Sequence, residues 1–444
     1  MSRKVRRLIF YLLTVVFVVS GTAAAFYSNG WRIDTETWTV RKTGAVFIRV
    51  QPREAEISID GKPVKRKNGF LLSGTLIDNL LPGEYEVAVS APGFITWSNT
   101  LPVKEGVVTE IKDSVLVPEE VPSVHLASTT AEMALTPAGE QAVTSSAGKL
   151  TYQNRTLAGN KLIGVTADPS RVITYNERQD TYLWNDLKEQ LTVNLNIRFR
   201  AAKPTINGTA DRSGIIRIVP DPNRTSIAII TTNKAVYQYN VDSDRVEIVS
   251  AASTNNTVPY GSEFILDRRE DVIAYNLDSG ETRTIMTFQS KVEKIETGEN
   301  GAVAALGENG ALMYYTPAAG AQEIGHSVTE FALGPANQMA WREKSGEINI
   351  FYPTLNFTRR TGSLGKTGAF KWIGTRHLVL IQPEQVKLVE LVDPAVNKDE
   401  PVLYAAPIIN EPTAQLEVDS AKNIYFITET GSLNVIDYFD DLIK

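Results

Sequence analysis

The sequence predicts an all-β soluble part behind one N-terminal transmembrane helix: a small β-sandwich-like domain followed by a β-propeller of eight, or alternatively seven, blades. Three observations carry that prediction. Residues Leu8 to Tyr27 form an uncharged run behind a basic cluster. From Gly44 the pattern changes to short alternating apolar runs broken by Gly, Pro and Asp. Beyond Ser123, a strand–turn–strand unit recurs at a spacing of about 40 residues.

The N-terminal run, LIFYLLTVVFVVSGTAAAFY, has 20 residues and no charge. At about 1.5 Å of rise per residue it reaches roughly 30 Å, the thickness of a bilayer's hydrocarbon core. Arg3, Lys4, Arg6 and Arg7 precede it. Basic flanks stay in the cytoplasm, so residues 1–7 read as a cytoplasmic tail, 8–27 as the anchor in the lipid bilayer, and everything after Tyr27 as exported. Tyr27 and Trp31 fall where interfacial aromatics are expected. A cleaved signal peptide is the alternative, since the strongest apolar stretch is Leu8–Val19 and Ala23-Ala24-Ala25 fits a cleavage site. Both readings place the bulk of the chain outside the cytoplasm, extracellular or periplasmic.

After a connector at 28–42, residues 43–117 alternate with period two. Val46, Ile48 and Val50 share one face of a strand that ends at Pro52. Asp60-Gly61 supplies a two-residue hairpin turn, because Gly tolerates the positive φ that such a turn demands. Leu80–Gly83 and Ala91–Phe94 make further turns around the strand Glu84–Ser90. The strings Gly44-x-Val-x-Ile-x-Val-x-Pro52, Ala55-x-Ile-x-Ile-Asp60-Gly61, Leu81-Pro82-Gly83-Glu84-Tyr85-x-Val-x-Val and Pro92-Gly93-Phe94-x-x-Trp97 resemble the PEGA domain family. This sequence departs from the family's tetrad in placing Tyr85 after Pro-Gly-Glu, and Lys62–Asn79 is long and basic. The resemblance implies a β-sandwich-like module on a cell-surface protein, serving as spacer or adhesion element, with no chemistry of its own.

Residues 118–122, at the end of the string VPEEVP, read as a linker, and 123–444 as the propeller. Central blade strands are predicted at Lys149–Asn154, Thr181–Asp186, Ala235–Asn240, Val272–Leu277, Ala311–Thr316, Glu347–Tyr352, Val386–Leu391 and Ser432–Tyr438. Apolar strands and polar turns precede most of them, as in VITYNERQD, SIAIITTNK and AVAALGENG. No segment with helical period is expected among them. Tyr152, Trp184, Tyr239, Tyr275, Tyr315 and Tyr352 hold like positions, where packing between blades is the expected role. The repeats resemble WD40-like propellers, although no Trp-Asp ends a blade and no Gly-His opens one. The last unit lacks an outer strand, and Ser123–Ser128 is a spare one. Pairing it there would close the ring and remove an exposed edge. Val124 and Leu126 would then pack into the blade, worth about 3–6 kcal/mol as an upper range.

Composition bounds the chemistry. The 444 residues are 43% apolar and 22% charged with a net charge of −6, ordinary for a folded protein. Because the N-terminal 27 residues carry only positive charge, the remainder is more acidic still, a poor match to nucleic acid. The absence of cysteine excludes disulfides, thiolate metal sites and thiol catalysis. No Gly-x-Ser-x-Gly, Walker A, His-Glu-x-x-His or dinucleotide fingerprint occurs. The three histidines, His125, His326 and His377, lie far apart, and a metal site built from them is disfavoured. The acids of Asp242-Ser243-Asp244 and Asp267–Asp271 lack calcium-loop spacing and read as solvated turn residues. Asn154-Arg155-Thr156 and Asn356-Phe357-Thr358 match a glycosylation acceptor, a pattern common by chance. No catalytic, cofactor-binding or metal-binding residue is therefore assigned. The expected function is a non-catalytic cell-envelope protein whose propeller binds a protein or polysaccharide. The alternative is an exported propeller enzyme, a hydrolase or lyase, with its site at the central channel.

Overall fold

The computed structural model describes residues 3–34, 38–64, 74–135, 142–146, 148–153, 155–361, 368–392 and 402–439. Asn154, the distal residue Lys444 and residues 65–73 within Lys62–Asn79 lie outside the described residues. The chain divides into two compact units. One comprises Met1–Glu120 with Glu390–Ala406 and Leu442–Lys444, the other Val121–Val389 with Pro407–Asp441.

Helix α1 runs over Arg3–Ser28, and its Val5–Ser28 portion is long and apolar enough to cross a membrane. The whole of that stretch is exposed, its apolar side chains facing outward rather than into a protein core. A membrane anchor and a signal sequence both fit such a helix. A two-stranded hairpin, Trp31–Asp34 with Thr39–Lys42, follows immediately.

Next comes a small sandwich of two sheets. Gly44–Gln51 lies between Thr75–Leu80 and Val108–Val115, pairing antiparallel with the first and parallel with the second. The other sheet runs Lys62–Pro63, Glu56–Ile59, Gly83–Ser90, Trp97–Val103. Strict alternation puts Val46, Ile48 and Val50 inside together with Ile57, Val87, Val89, Trp97 and Leu101. Asp60 and Gly61 both take positive φ at the predicted tight turn. Gly44 is required by crowding, because a Cβ there would collide with the Lys104 carbonyl. Pro118 and Glu119 are not free linker: Phe94 bridges Pro118, and the Glu119 amide donates to the Gly93 carbonyl at 3.0 Å.

The larger part is an eight-bladed β-propeller, each blade a four-stranded antiparallel sheet. The inner strands, in blade order, are Thr130–Leu135, Lys161–Val165, Ile215–Pro220, Thr257–Tyr260, Val292–Thr297, Val328–Leu333, Phe370–Trp372 and Thr413–Val418. Seven blades take all four strands consecutively. The eighth takes Thr413–Val418, Ile424–Thr428 and Leu433–Ile436 from the end of the chain, and its outer strand, Val124–Ala127, from the start. The ring thus closes through the spare strand, which decides the blade number in favour of eight. Val124 and Leu126, however, remain about half exposed. Closure rests on main-chain pairing, and the expected packing of those two side chains is corrected.

Strands two and three of each blade are the most apolar and fill the spaces between blades. Tyr152, Trp184, Tyr239 and Tyr275 are buried there as predicted, whereas Tyr315 and Tyr352 are only partly covered. A second helix, α2 (Leu195–Ala201), corrects the expectation of no helical segment. Asn194 caps it, accepting from the Ile197 amide at 3.1 Å. It wedges Phe199 edge-on against Tyr237 and Tyr239, with ring centroids 5.4 and 5.9 Å apart. A short hairpin, Thr205–Ile206 with Thr209–Ala210, then leads to blade 3.

Candidate interaction site on the propeller

Strand order alone sorts the loops of each antiparallel blade onto two faces. Turns between first and second and between third and fourth strands share one face; the remaining turns and the connections between blades share the other. Inner strands start at the second face. There, six of the eight carry a β-bulge against the second strand, at Ala131, Ile163, Ile216, Glu293, Thr329 and Ala414. An inserted residue breaks the alternation and re-aims its neighbour's side chain. The bulged residues other than Ile163 are exposed, and the chemistry they present differs from blade to blade.

The residue after the bulge is used for bridging. Lys161 pairs with Glu132 at 3.6 Å between blades 1 and 2. Arg217 donates to the Asn255 carbonyl between blades 3 and 4. Lys294 donates to the Phe331 carbonyl at 2.8 Å, and Glu296 accepts from the Leu333 amide at 2.7 Å, joining blades 5 and 6. Trp372 Nε1 reaches the Ala332 carbonyl at 3.0 Å, and Lys371 meets Glu417 at 2.5 Å. At the seam the Gln415 amide spans both backbone groups of Met133, accepting at 2.9 Å and donating at 2.5 Å. Between blades 2 and 3 the strands come so close that a Cβ on Gly164 would lie 2.7 Å from Pro220. Glu330 is raised above the usual carboxylate range by burial, against the opposing pull of Arg342, which it meets at 2.8 Å. Most of these inner-strand charges thus hold neighbouring blades together, while Glu330 is paired within blade 6.

On the opposite face, blades 2, 3 and 4 repeat one turn. Asp186, Asn240 and Asn276 each accept from the amides two and three residues on, while Gln190, Asp244 and Gly280 take positive φ. The intervening apolar residues, Leu187, Val241 and Leu277, donate back to Ser170, Ser226 and Ser262. Arginines then cross to the next blade. Arg171 reaches Asp186 and Asp242, each at 3.1 Å, and Arg224 reaches Asp278 at 2.6 Å. Asp244 meets Arg198 of α2 at 3.0 Å and accepts from the Tyr239 hydroxyl. The reading of Asp242 and Asp244 as merely solvated is therefore corrected. Asp267 is also not solvated: it is buried and accepts from Thr254, Asn255 and Asn256. The repeat is visible in the sequence as Asp/Asn followed by Leu/Val, three residues before a residue of positive φ, a signal the strand pattern alone does not reveal.

Beside the blade 2 turn opens a cleft of about 430 Å³, lined by Arg155, Thr156, Asn185, Gln190, Leu191 and Thr192 among others. The cleft lies where the outer strand of blade 1 is only two residues long, Arg155–Thr156. Arg155 donates to the Leu187 carbonyl at 2.6 Å, and Asn185 donates to Thr174 and accepts from Thr192. These bonds hold the walls of a hollow that combines amides and hydroxyls with Arg155, Asp186 and aliphatic side chains. The histidines are not brought together. His125 is on the outer strand of blade 8, His326 between blades 5 and 6, and His377 inside blade 7. Among the described residues no group of three His, Asp or Glu could hold a metal ion.

Neither a protein-family model nor a curated protein matches the chain. Among solved structures it is similar to BamB from Moraxella catarrhalis, at 12% identity over 71% of this chain and 98% of that one, with a TM-score of 0.46. It is also similar to Hsv2 from Kluyveromyces lactis, at 9% identity over 63% and 98%, TM-score 0.44. A third likeness is to the dihydro-heme d1 dehydrogenase NirN, at 14% over 64% and 66%, TM-score 0.46. Likenesses this distant carry no functional argument, and the propeller stands on its own strand pairing.

Proposed function

We propose that this chain is a non-catalytic, membrane-anchored protein of the cell envelope whose propeller binds a protein or polysaccharide partner. In this reading α1 holds the chain in the membrane with Arg3–Arg7 on the cytoplasmic side. The small sandwich is a PEGA-type module acting as stalk or adhesion element. The observation that carries the binding role is the division of labour on the propeller. Glu132, Lys161, Arg217, Lys294, Glu296, Lys371 and Glu417 on the inner strands join blades, while the bulged rim and the cleft beside Gln190 offer exposed surface of mixed character on a rigid frame. A cleft lined by Asn185, Gln190, Thr156 and Thr192 with Arg155, Asp186 and several aliphatic side chains suits hydroxyl- or amide-bearing partners.

In-cell crosslinking of the full-length chain tests this. A photoreactive residue replaces Gln190 in one variant and Glu281, on the exposed turn of blade 4, in another. A discrete adduct from the Gln190 position alone is expected. Equal labelling from both positions, or none from the cleft, overturns the assignment.

A further inference from the structure

We infer that the hairpin Trp31–Lys42 is a second membrane contact, lying in the headgroup–acyl boundary of the leaflet from which α1 emerges. The inference rests on the anchor reading of α1 and adds a defined surface to it. Only Asn29 and Gly30 separate helix from hairpin, so the strands begin within a few ångströms of the helix end. Gly30 turns the chain at φ +82°; its carbonyl accepts both the Thr43 amide and the Thr43 hydroxyl at 2.8 Å, closing the hairpin's base, and its amide donates to the Tyr27 carbonyl of the helix at 3.2 Å.

Register then sorts the side chains, since residues directly opposite share a face. Trp31 pairs with Lys42 and Ile33 with Val40 on one face; Arg32 pairs with Arg41 and Asp34 with Thr39 on the other. The second face is held by protein. Arg32 donates to Asn79 at 2.6 Å and to the Tyr27 carbonyl at 2.8 Å, with its guanidinium 3.5 Å from the Tyr27 ring centre. Arg41 pairs with Glu105 at 3.3 Å. The first face is left outward, with Ile33 63% and Val40 55% exposed, and Trp38 beside it 83% exposed. Phe26, on the last turn of α1, meets Trp31 at 6.0 Å between ring centres, so the apolar surface of the helix continues onto the hairpin. Tryptophan favours the interface, where its ring is half-dehydrated and its N–H still finds a partner, and Lys42 on the same face can extend its amine to the headgroups. The bilayer that accepts α1 is therefore the occupant of this face.

The protein carries its own probe. Trp97, Trp184, Trp341 and Trp372 are buried and α1 contains no tryptophan, so lipid-borne quenchers reach Trp31 and Trp38 alone. The full-length chain is reconstituted into phosphatidylcholine vesicles with or without bromine on the upper acyl carbons. Quenching is expected in the brominated vesicles. Trp38→Phe should remove the larger part of it, and Ile33→Asp with Val40→Asp should remove most of it while the chain still floats with the vesicles. Flotation without quenching, or quenching unchanged by Trp38→Phe, overturns the hairpin contact and leaves the anchor standing. Failure to float overturns the anchor itself.

Discussion

Between blades 2 and 3, Trp184, Leu195, Phe199, Ile218, Ile230, Tyr237 and Tyr239 belong to one large buried cluster, with α2 wedged into it. At the seam between blades 8 and 1, the buried cluster among the described residues is Met133, Ile427 and Leu433, with Ala127 and Tyr425 against it. The first junction adds an arginine bridge from Arg171 to Asp242 and a buried carboxylate, Asp211, that accepts from Thr232 and Tyr237, each at 2.9 Å. The seam adds the paired bonds of Gln415 to the Met133 backbone. Among the described residues the first junction is thus held by packing, an ion pair and a buried carboxylate, and the second by the Gln415 bonds over a smaller cluster. The two ends of the chain meet inside blade 8, where main-chain pairing of Val124–Ala127 with Leu433–Ile436 removes the open edge.

The largest test of this contrast is Phe199→Ala. It empties a buried aromatic site that two tyrosine rings share, and should cost about 3–5 kcal/mol, read as a shift in denaturant midpoint. Met133→Ala at the seam should cost less. A larger loss at Met133 than at Phe199 would reverse the ranking of the two junctions.

The contrast also explains how much the sequence disclosed. Second and third strands, such as Ile227–Thr232 and Thr181–Asp186, are nearly continuous in burial, so their apolar runs mark the blades and their number plainly. First strands hide because each bulge breaks the alternation and because Glu132, Arg217, Lys294 and Glu330 follow the break with charge, the first three bridging blades and Glu330 pairing with Arg342 in its own blade. Outer strands such as Thr282–Thr287 are solvated along much of their length and lack an apolar face. Helix α2 buries only Leu195 and Phe199 over seven residues, too few turns for a helical period to register. The rim and the cleft were invisible for a related reason: they are made by strand pairing between distant residues, not by any local spacing.

Acid probes a different part of the ring. His377 lies inside blade 7, and burial lowers its pKa to about 3, helped by Arg376 and Lys422. The folded protein keeps this ring neutral, while the unfolded chain protonates it near pH 6.5. Stability from this group is therefore full above about pH 6.5 and is lost as pH falls from there toward 3. At pH 5 the loss is on the order of 2 kcal/mol. Asp168, held at about 2 chiefly by its bond from Lys188, acts in a separate window, losing its contribution only as pH falls below its ordinary value near 3.8. His377→Leu should therefore flatten the decline in unfolding midpoint between pH 7 and pH 5. Matching declines for the two proteins would show that His377 is not the acid-sensitive group.

The smallest expected effect bears on how the ring closes. The outer strand Val124–Ala127 pairs Val124 with Val435, His125 with Asn434 and Ala127 with Leu433, skipping Leu126. His125 bonds Ser432 at 3.0 Å and Ser128 at 3.1 Å, and Ala127 packs on the seam cluster. Val124 and Leu126 contribute little packing, since both stand half in water. Replacing each with threonine keeps a β-branched or strand-compatible side chain and removes only exposed apolar surface. Each change should then move stability by less than about 0.5 kcal/mol. If the double variant instead lost stability on the scale of Phe199→Ala, those side chains would be part of the closure after all. The seam would then depend on packing, as the other junctions do, and its main-chain pairing would be secondary.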